Sequence, residues 1–582
     1  MKKLFIVYFA FALCSCAFAD NFGDIKKQAE GGDAFAQYKV AKAYATGDGV
    51  AQNGAEALKW AKLSAQGGNS FGQNMFGVFY LDGLFGLEKD IAKGMKLLES
   101  AAENGNLYAM ETLAKTYCYG IDWSSGKSQS PGYVVVGRFD TKIIDPKKSF
   151  YWAQKAAEQN SIECQGLLSY YYYSGDAAEK DLKKALDFAQ KAAEQNDTMG
   201  LHVLGILYLE GEVVKKDVHK AFELVLKSAS TGEMSQHPMV LCNLACFYLN
   251  GLGTEKNLDK AMMLLEIAAS MNWTDAQVSY SKICLEQKDC AKAFYWAQKA
   301  AKKGDAEAKG VLGKIYFLGL GKEKDAKKAF ALFSDAAQLG NAEAMRDLAY
   351  LYLTGDGAEK NIGKALELYE AAAENGVNEL PGTLALAYFK GEIKENPIER
   401  DFNKAFYWAQ KASANKDVRG DKILAEIYLF GRGTEKNPQK AFEFCKKAAD
   451  KGDIEAISNL ASMYLLGEGT EKNLKKAFEL HLKAAESGIV NSQKILALFY
   501  CGKYGDAAEK DFAKAQYWAE KAAANGDFDA KMLLIVIRNK DNPGKVKAEM
   551  EKLKETQGKT FTPKQINFID NFIKNVENSA KK

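Results

Sequence analysis

The stretch "DIEAISNLASMYLLGEGTEKNLKKAFELHLKAAESG", residues 453–488, is one complete copy of a repeating unit. Its first half places apolar residues at helical spacing, which predicts an amphipathic helix. Gly467 and Gly469 end that helix, because glycine readily takes the left-handed conformation at a helix C-terminus. Asn473 then starts a second helix as its N-cap. The unit is therefore predicted to be an antiparallel helical hairpin.

The unit recurs thirteen times, mostly at 36-residue intervals. When the copies are aligned, one column of residues just before the turn is tyrosine in twelve copies: Tyr44, Tyr80, Tyr117, Tyr172, Tyr208, Tyr248, Tyr316, Tyr352, Tyr388, Tyr428, Tyr464 and Tyr500. In the seventh copy, Cys284 occupies this position. The second helix starts at an Asp or Asn in every copy: Asn53, Asp90, Asp145, Asp181, Asp217, Asn257, Asp289, Asp325, Asn361, Asp401, Asn437, Asn473 and Asp511. One hairpin cannot bury its apolar stripe alone, so the copies should stack. We predict an all-α, right-handed superhelical solenoid of about thirteen hairpins over residues 33–526.

Both ends of the chain differ from the repeats. Residues 1–19 combine a basic start, a short apolar run and a small-residue site, which predicts a signal peptide cleaved between Ala19 and Asp20. The protein is then periplasmic or secreted. Alternatively, Cys16 stands in an imperfect lipobox and would anchor an outer-membrane lipoprotein.

The remaining terminal segments flank the repeats. Residues 20–32 form a lead-in, and 527–582 depart from the unit after one more first helix. Thr562 and Gln565 form a capping box that starts the last helix. We predict that this helical segment caps the exposed final repeat, and a membrane-surface helix is the alternative.

The composition excludes several classes of function. The 78 basic and 75 acidic residues are mixed along the whole chain, so no basic block indicates nucleic-acid binding. No segment after the first twenty residues is apolar enough for a transmembrane helix. The four histidines show no metal-ligand spacing, and no phosphate-binding glycine loop follows a strand. We predict no metal and no cofactor.

The largest interruption of the repeat is an insertion at residues 121–144. It contains residue types that are enriched at interface hot spots: Trp123, Tyr133, Arg138 and Phe139. One interpretation is a partner-binding loop. The other is a tolerated surface insertion, because long loops cost little free energy.

A second departure lies in the seventh copy, which lacks its glycine turn. Cys284 and Cys290 flank this shortened loop, and an exported chain can oxidise such a pair. A disulfide there would replace the missing turn. A buried free thiol is the alternative for each cysteine.

The heptapeptide "FYWAQKA" occurs three times, at 150–156, 294–300 and 406–412. It falls on the second helix, and other copies place Phe or Leu where it has Trp. Packing tolerates such exchange, whereas catalysis does not. We interpret the heptapeptide as scaffold rather than as a ligand site.

The chain resembles the Sel-1-like repeat family, which consists of tetratricopeptide-like helical hairpins. Residues 305–376 carry the resemblance in "LGKIYFLGLGKEKDAKKAFALFSDAAQLG" and "LAYLYLTGDGAEKNIGKALELYEAAAENG". An exported bacterial member of this family is expected to be an adaptor. It would hold protein or peptide partners on a concave surface lined by the first helices, with possible envelope association.

Two alternative functions remain open. Cysteine-rich relatives are often labelled β-lactamase-like or penicillin-binding, and such enzymes need Ser-x-x-Lys together with Ser-Asp-Asn and Lys-Thr-Gly. Only the first pattern occurs, at Ser124, Ser279, Ser413 and Ser579, so no catalytic residue is assigned. The other alternative is a cell-envelope assembly factor. The favoured prediction is a scaffold without enzymatic activity.

Overall fold

The computed structural model describes residues 22–119, 143–231, 237–557 and 561–580. Thirty α-helices and one pair of two-residue strands lie in these ranges. Consecutive helices pair as antiparallel hairpins, so the predicted all-α solenoid of stacked hairpins is confirmed. The chain divides into two compact units within the sixteenth helix.

The first compact unit extends to residue 315 and includes residues 320–322. Its helices are α1 (Phe22–Glu30), α2 (Ala34–Thr46), α3 (Gly54–Gln66), α4 (Ser70–Asp82), α5 (Ile91–Glu103), α6 (Leu107–Tyr119), α7 (Pro146–Glu158), α8 (Ile162–Ser174), α9 (Leu182–Glu194), α10 (Thr198–Glu210), α11 (Val218–Ser228), α12 (Pro238–Asn250), α13 (Leu258–Ser270), α14 (Thr274–Glu286), α15 (Cys290–Ala301) and most of α16 (Ala306–Leu318). From α2 to α27, each even-numbered helix is the first of a hairpin and the next is its second.

The second compact unit comprises residues 316–319 and the chain from residue 323 onward. It contains α17 (Ala326–Gln338), α18 (Ala342–Thr354), α19 (Ile362–Glu374), α20 (Leu380–Lys390), α21 (Phe402–Ala414), α22 (Val418–Phe430), α23 (Pro438–Asp450), α24 (Ile454–Leu466), α25 (Leu474–Glu486), α26 (Val490–Tyr500), α27 (Phe512–Ala524), α28 (Phe528–Arg538), α29 (Pro543–Gln557) and α30 (Pro563–Ala580). Strands β1 (Glu392–Ile393) and β2 (Asn396–Pro397) pair antiparallel inside the loop between α20 and α21.

One backbone hydrogen bond closes all thirteen hairpins. The N–H of the Asp or Asn at the second helix donates to the carbonyl of the tyrosine column, or of Cys284, at 2.8–3.1 Å. The Asp or Asn side chain also accepts from a backbone N–H in the first turn of its helix in every hairpin. The predicted N-cap column is therefore confirmed, and we call the main-chain contact the closing bond.

A lysine three residues after the cap covers a tyrosine ring of the preceding helix. Its Nζ lies 4.2–5.9 Å from the ring centre in twelve hairpins: Lys93, Lys148, Lys184, Lys220, Lys260, Lys292, Lys328, Lys364, Lys404, Lys440, Lys476 and Lys514. An ammonium over an aromatic face is an attractive cation–π pair. This contact explains why the recurring tyrosine and the recurring lysine occur together.

The core lies between the two helices of each hairpin and between neighbouring hairpins. A small residue four positions after the cap lets the helices approach closely, and eleven of these positions are fully buried alanines: Ala57, Ala185, Ala221, Ala261, Ala293, Ala329, Ala365, Ala405, Ala441, Ala477 and Ala515. In the third hairpin, Ser149 takes this place, and its Oγ donates to the Ala114 carbonyl at 2.6 Å.

The N-cap column makes a direct prediction for stability. Asn473 accepts a hydrogen bond from the Lys476 N–H at 3.0 Å, and Asn473→Ala removes it. We expect a loss of about 1 kcal/mol in the local unfolding free energy of α25, measured by hydrogen exchange. Asn473→Asp is the matched control, because its carboxylate accepts the same bond. Equal exchange in the alanine variant and the wild type would contradict the capping role.

The helices after the last repeat share an apolar cluster of their own. Four side chains, one or two from each of α28, α29 and α30, are buried together: Met532, Val546, Met550 and Ile569. The Thr562 N–H donates to Gln565 Oε1 at 2.8 Å, and the Gln565 N–H donates back to Thr562 Oγ1 at 3.3 Å, so the predicted capping box is present. The capping role of residues 527–582 stays a prediction.

Candidate functional site

The predicted partner-binding loop falls largely outside the described residues. Its four candidate residues all do: Trp123, Tyr133, Arg138 and Phe139. The helices on either side keep their closing bond, in which the Asp145 N–H donates to the Tyr117 carbonyl at 2.9 Å. The hairpin is therefore complete with its insertion, and the binding role stays a prediction. Cys16, Ala19 and Asp20 also lie outside the described residues.

The shortened turn of the seventh hairpin is closed without a disulfide in this structure. Cys284 is a buried free thiol, and Cys290 is a half-buried free thiol. Lys288, four residues after Cys284, takes a positive φ of 64°, whereas most other hairpins have a positive-φ glycine three residues after their tyrosine; the Asp289 N–H donates to the Cys284 carbonyl at 2.8 Å. The backbone thus makes the turn by itself. The Cys284–Cys290 bridge stays a prediction, which non-reducing mass spectrometry tests.

One Ser-x-x-Lys serine lies beside a lysine, but not the lysine of its own pattern. Ser413 Oγ accepts from Lys447 Nζ at 2.7 Å and donates to Asp421 Oδ1 at 2.5 Å. Lys447 and Lys451 both pair with the Asp421 carboxylate, at 3.1 and 2.6 Å. We call these four residues the buried-aspartate cluster.

The buried-aspartate cluster lacks the features of a serine nucleophile. A lysine that donates to a carboxylate has no free lone pair with which to act as a general base. Ser413 is 6% exposed and Asp421 is fully buried, so a substrate cannot reach them without opening the helices. The second described serine of this pattern, Ser279, lies exposed on α14. The described residues therefore assign no acyl-transfer chemistry, and the cluster is a structural ion network.

A cleft of about 210 Å³ lies across three consecutive first helices, α8, α10 and α12. Its lining combines aromatic, apolar and polar side chains: Tyr170, Tyr173, His202, Val203, Ile206, Met239 and Asn243. We call this the His202 cleft. Pockets for drug-sized ligands usually measure about 300–1,000 Å³, so the His202 cleft has room for a single side chain.

His202 is held as a neutral ring in this cleft. Burial, with a smaller contribution from the neighbouring His237, lowers the pKa of its imidazole to about 4. The Asn243 amide lies 3.0 Å from His202 Nε2 and donates to it, which leaves the ring proton on Nδ1. His202 is 3% exposed, and its Nδ1 has no hydrogen-bond partner among the described residues. The Nδ1–H group is therefore a buried donor that lies beneath the cleft without a described partner.

The helices that line the His202 cleft contain few charges. Glu163 and Glu210 are the only charged residues of α8, α10 and α12, and neither lysine nor arginine occurs there. Other first helices carry ion pairs to the next hairpin, such as Lys282–Glu307 at 2.6 Å and Lys422–Asp453 at 3.2 Å. Helices α4, α20, α24 and α26 also contain a single charged residue each, but α8, α10 and α12 are the only three consecutive first helices of the thirteen described hairpins that lack a basic residue.

Sequence reasoning missed this cleft because it treated the extra residues before α12 only as a small break in the repeat. The spacing is 36 residues between α8 and α10 and 40 residues between α10 and α12. The run "YYYY" at 170–173 and the absence of basic residues from all three helices were the available signals.

The buried histidines predict a pH dependence of stability. Burial lowers the pKa of His481 from 6.5 to about 4. Between these values the unfolded chain binds a proton that the folded chain does not, so the free energy of unfolding falls as the pH falls. His481→Gln removes this group. Between pH 7 and pH 5, we expect the unfolding free energy of the variant to fall by about 2 kcal/mol less than that of the wild type, measured by hydrogen exchange in α25. Equal losses would contradict neutral burial.

No described helix is long and apolar enough to cross a membrane. The described ranges also contain no group of three or more His, Cys, Asp or Glu side chains placed to hold a metal ion.

Comparison with known proteins identifies the repeat. A sequence model described as the Sel1 repeat matches thirteen segments, at residues 34–69, 70–106, 137–161, 162–197, 198–232, 238–273, 283–305, 306–341, 342–377, 383–417, 423–453, 454–489 and 491–527. These segments cover most of the chain; eleven of them match both helices of a hairpin, and 137–161 and 283–305 match chiefly the second helix of the third and seventh hairpins. No curated protein matches the chain.

Two solved structures are similar in fold. One is a protective antigen of uropathogenic Escherichia coli strains displaying an SLR fold, with 24% identity and a TM-score of 0.43 over 92% of this chain and 97% of that one. The other is a repeat protein from Oxalobacter formigenes, with 23% identity and a TM-score of 0.39 over 54% of this chain and 89% of that one.

Proposed function

Because this chain belongs to the Sel1 repeat family, we propose that it is a scaffold without enzymatic activity that holds a protein or peptide partner on its first helices. The observation that carries the proposal is the His202 cleft in the charge-poor surface of α8, α10 and α12. A cleft that fits one side chain is suited to anchoring a polypeptide. Depletion of charged residues at the centre of a patch is typical of protein interfaces.

The test is affinity capture from intact cells with the mature chain as bait. Ile206 is half-buried in the cleft wall, and Ile206→Arg would fill the cleft with a charged side chain. We expect at least one protein to be captured reproducibly by the wild type and to be reduced at least tenfold by this variant. Ser462→Arg is the matched control, because Ser462 lies nine residues after the N-cap of α24, as Ile206 does after that of α10.

The competing enzymatic function is tested on the same preparations. Hydrolysis of a chromogenic β-lactam that persists through purification, together with no captured partner, would contradict the scaffold proposal. Retention of the partner by Ile206→Arg would instead place the binding surface away from the His202 cleft.

We also propose that the protein is exported, acts in the periplasm or outside the cell, and uses its insertion as a second contact. These proposals rest on residues 1–19 and 121–144 of the sequence. The intact mass of the exported protein distinguishes a chain that begins at Asp20 from a lipidated chain that begins at Cys16. Deleting residues 124–141 should abolish capture without loss of helicity, and unchanged capture would remove the insertion from the binding surface. Captured envelope proteins would favour an envelope-assembly role.

A further inference from the structure

The His202 cleft has a chemical preference that follows from the charges around it. The Tyr173 hydroxyl donates to Glu210 at 2.6 Å, and the Tyr170 hydroxyl donates to Asp176 at 3.1 Å. Burial raises the pKa of the Tyr173 phenol most, and the charges of Glu210 and then Glu212 raise it further. Glu212 thus also acts on Tyr173. The tyrosine end of the cleft is therefore surrounded by three carboxylates.

The positive charge near these carboxylates is smaller. Lys180 Nζ lies 5.6 Å from the centre of the Tyr173 ring. Among the charged groups that contact Tyr170 and Tyr173 or act on their charge, three carboxylates outnumber one ammonium. A partner with a basic residue next to its anchor would complement that charge.

The other end of the cleft is apolar and uncharged. Met239, Val203 and Ile206 form its wall, and α12 contains no charged residue. Neutral His202 adds no charge here, because burial and the neighbouring His237 keep its pKa near 4. The anchor that suits this wall is a large apolar side chain.

We infer that the His202 cleft binds one large apolar side chain of a peptide segment that carries a basic residue beside it. This inference rests on the proposed scaffold function and names the chemistry of its partner. The apolar side chain supplies affinity by burial, and the basic residue supplies orientation at the carboxylate end.

The test is a titration of the full chain with three fluorescein-labelled peptides in the same Gly-Ser context, followed by fluorescence anisotropy. Their central residues are Lys-Phe-Lys, Lys-Ser-Lys and Glu-Phe-Glu. We expect the first peptide to bind at least tenfold more tightly than either of the others, and its affinity to fall as salt is raised.

Variants of the protein separate the two parts of the inference. Ile206→Arg should weaken the Lys-Phe-Lys peptide at least tenfold, and Ser462→Arg should leave it unchanged. Glu210→Gln, at an exposed residue whose replacement does not disturb the core, should weaken it about threefold and reduce its salt dependence. Equal binding of all three peptides, or binding unaffected by both Ile206→Arg and Glu210→Gln, would overturn the inference.

The outcome can be separated from that of the proposed function. If none of the peptides binds while the captured partner is still lost with Ile206→Arg, the stated chemistry is wrong and the scaffold function stands. If the captured partner is also retained by Ile206→Arg, the cleft has no binding role, and the inference fails together with the proposed surface.

Discussion

Replacing Trp408 with alanine is expected to lower the local unfolding free energy of α20, α21 and α22 by about 3–5 kcal/mol, the usual cost of removing a large buried aromatic side chain. Trp408 is 3% exposed and packs in the main core cluster of the second compact unit with Leu424 and Ile427. The surrounding helices are held by both neighbours, so the cavity cannot collapse fully. Hydrogen exchange resolved by helix measures the loss, which should fade within about one hairpin on either side.

Tyr407, the adjacent residue, is the matched control. It is 46% exposed, and its hydroxyl donates to Glu374 at 2.6 Å on the surface. We expect Tyr407→Ala to change the same free energy by less than about 1 kcal/mol, because exposed polar contacts contribute little. Equal effects of the two variants would show that the heptapeptide is not a simple scaffold element.

The second large effect is expected in the buried-aspartate cluster. Replacing Lys447 and Lys451 together with methionine leaves the fully buried Asp421 carboxylate with only the Ser413 hydroxyl as a described partner. A buried charge without its counter-ions typically costs about 3–5 kcal/mol. We expect a loss of this size at pH 7, measured by hydrogen exchange in α21, α22 and α23.

A triple variant tests the cause of that loss. Adding Asp421→Asn removes the charge and keeps a side chain of the same size, so most of the lost free energy should return. A triple variant as unstable as the double variant would show that the lysine stems, rather than the charge, stabilise these helices.

Most of the fold could be predicted from the sequence because it is encoded locally and repeated. The Asp or Asn column marks helix starts, the tyrosine column marks the turns, and the small residue after each cap marks the close approach. The same regularity makes it harder to predict which of two adjacent aromatic residues is buried. Trp152 and Tyr151 lie about 100° apart around one helix, so one is buried and the other is 51% exposed. Burial supports the scaffold interpretation of the tryptophans, whereas the tyrosines face solvent.

The candidate site could not be predicted in the same way. The His202 cleft is assembled from helices 36 to 40 residues apart, and its character depends on which polar atoms remain without partners. Asp421 shows the same limit: its lysines come from the end of the second helix of its own hairpin, 26 and 30 residues later, whereas Ser413 comes from the preceding hairpin. The pattern of one repeat contains no information about such contacts between repeats.

The closing bond has a consequence for protein engineering. It joins Cys284 to Asp289 across four residues and Tyr117 to Asp145 across 27, at 2.8 and 2.9 Å. The closing bond joins the two ends of the loop, so the geometry of the hairpin is independent of the residues that lie between the bonded pair. Each of the thirteen loops is therefore a suitable insertion site for a reporter domain or an epitope. The inserts would be spaced one repeat apart, and the flanking helices would need no redesign.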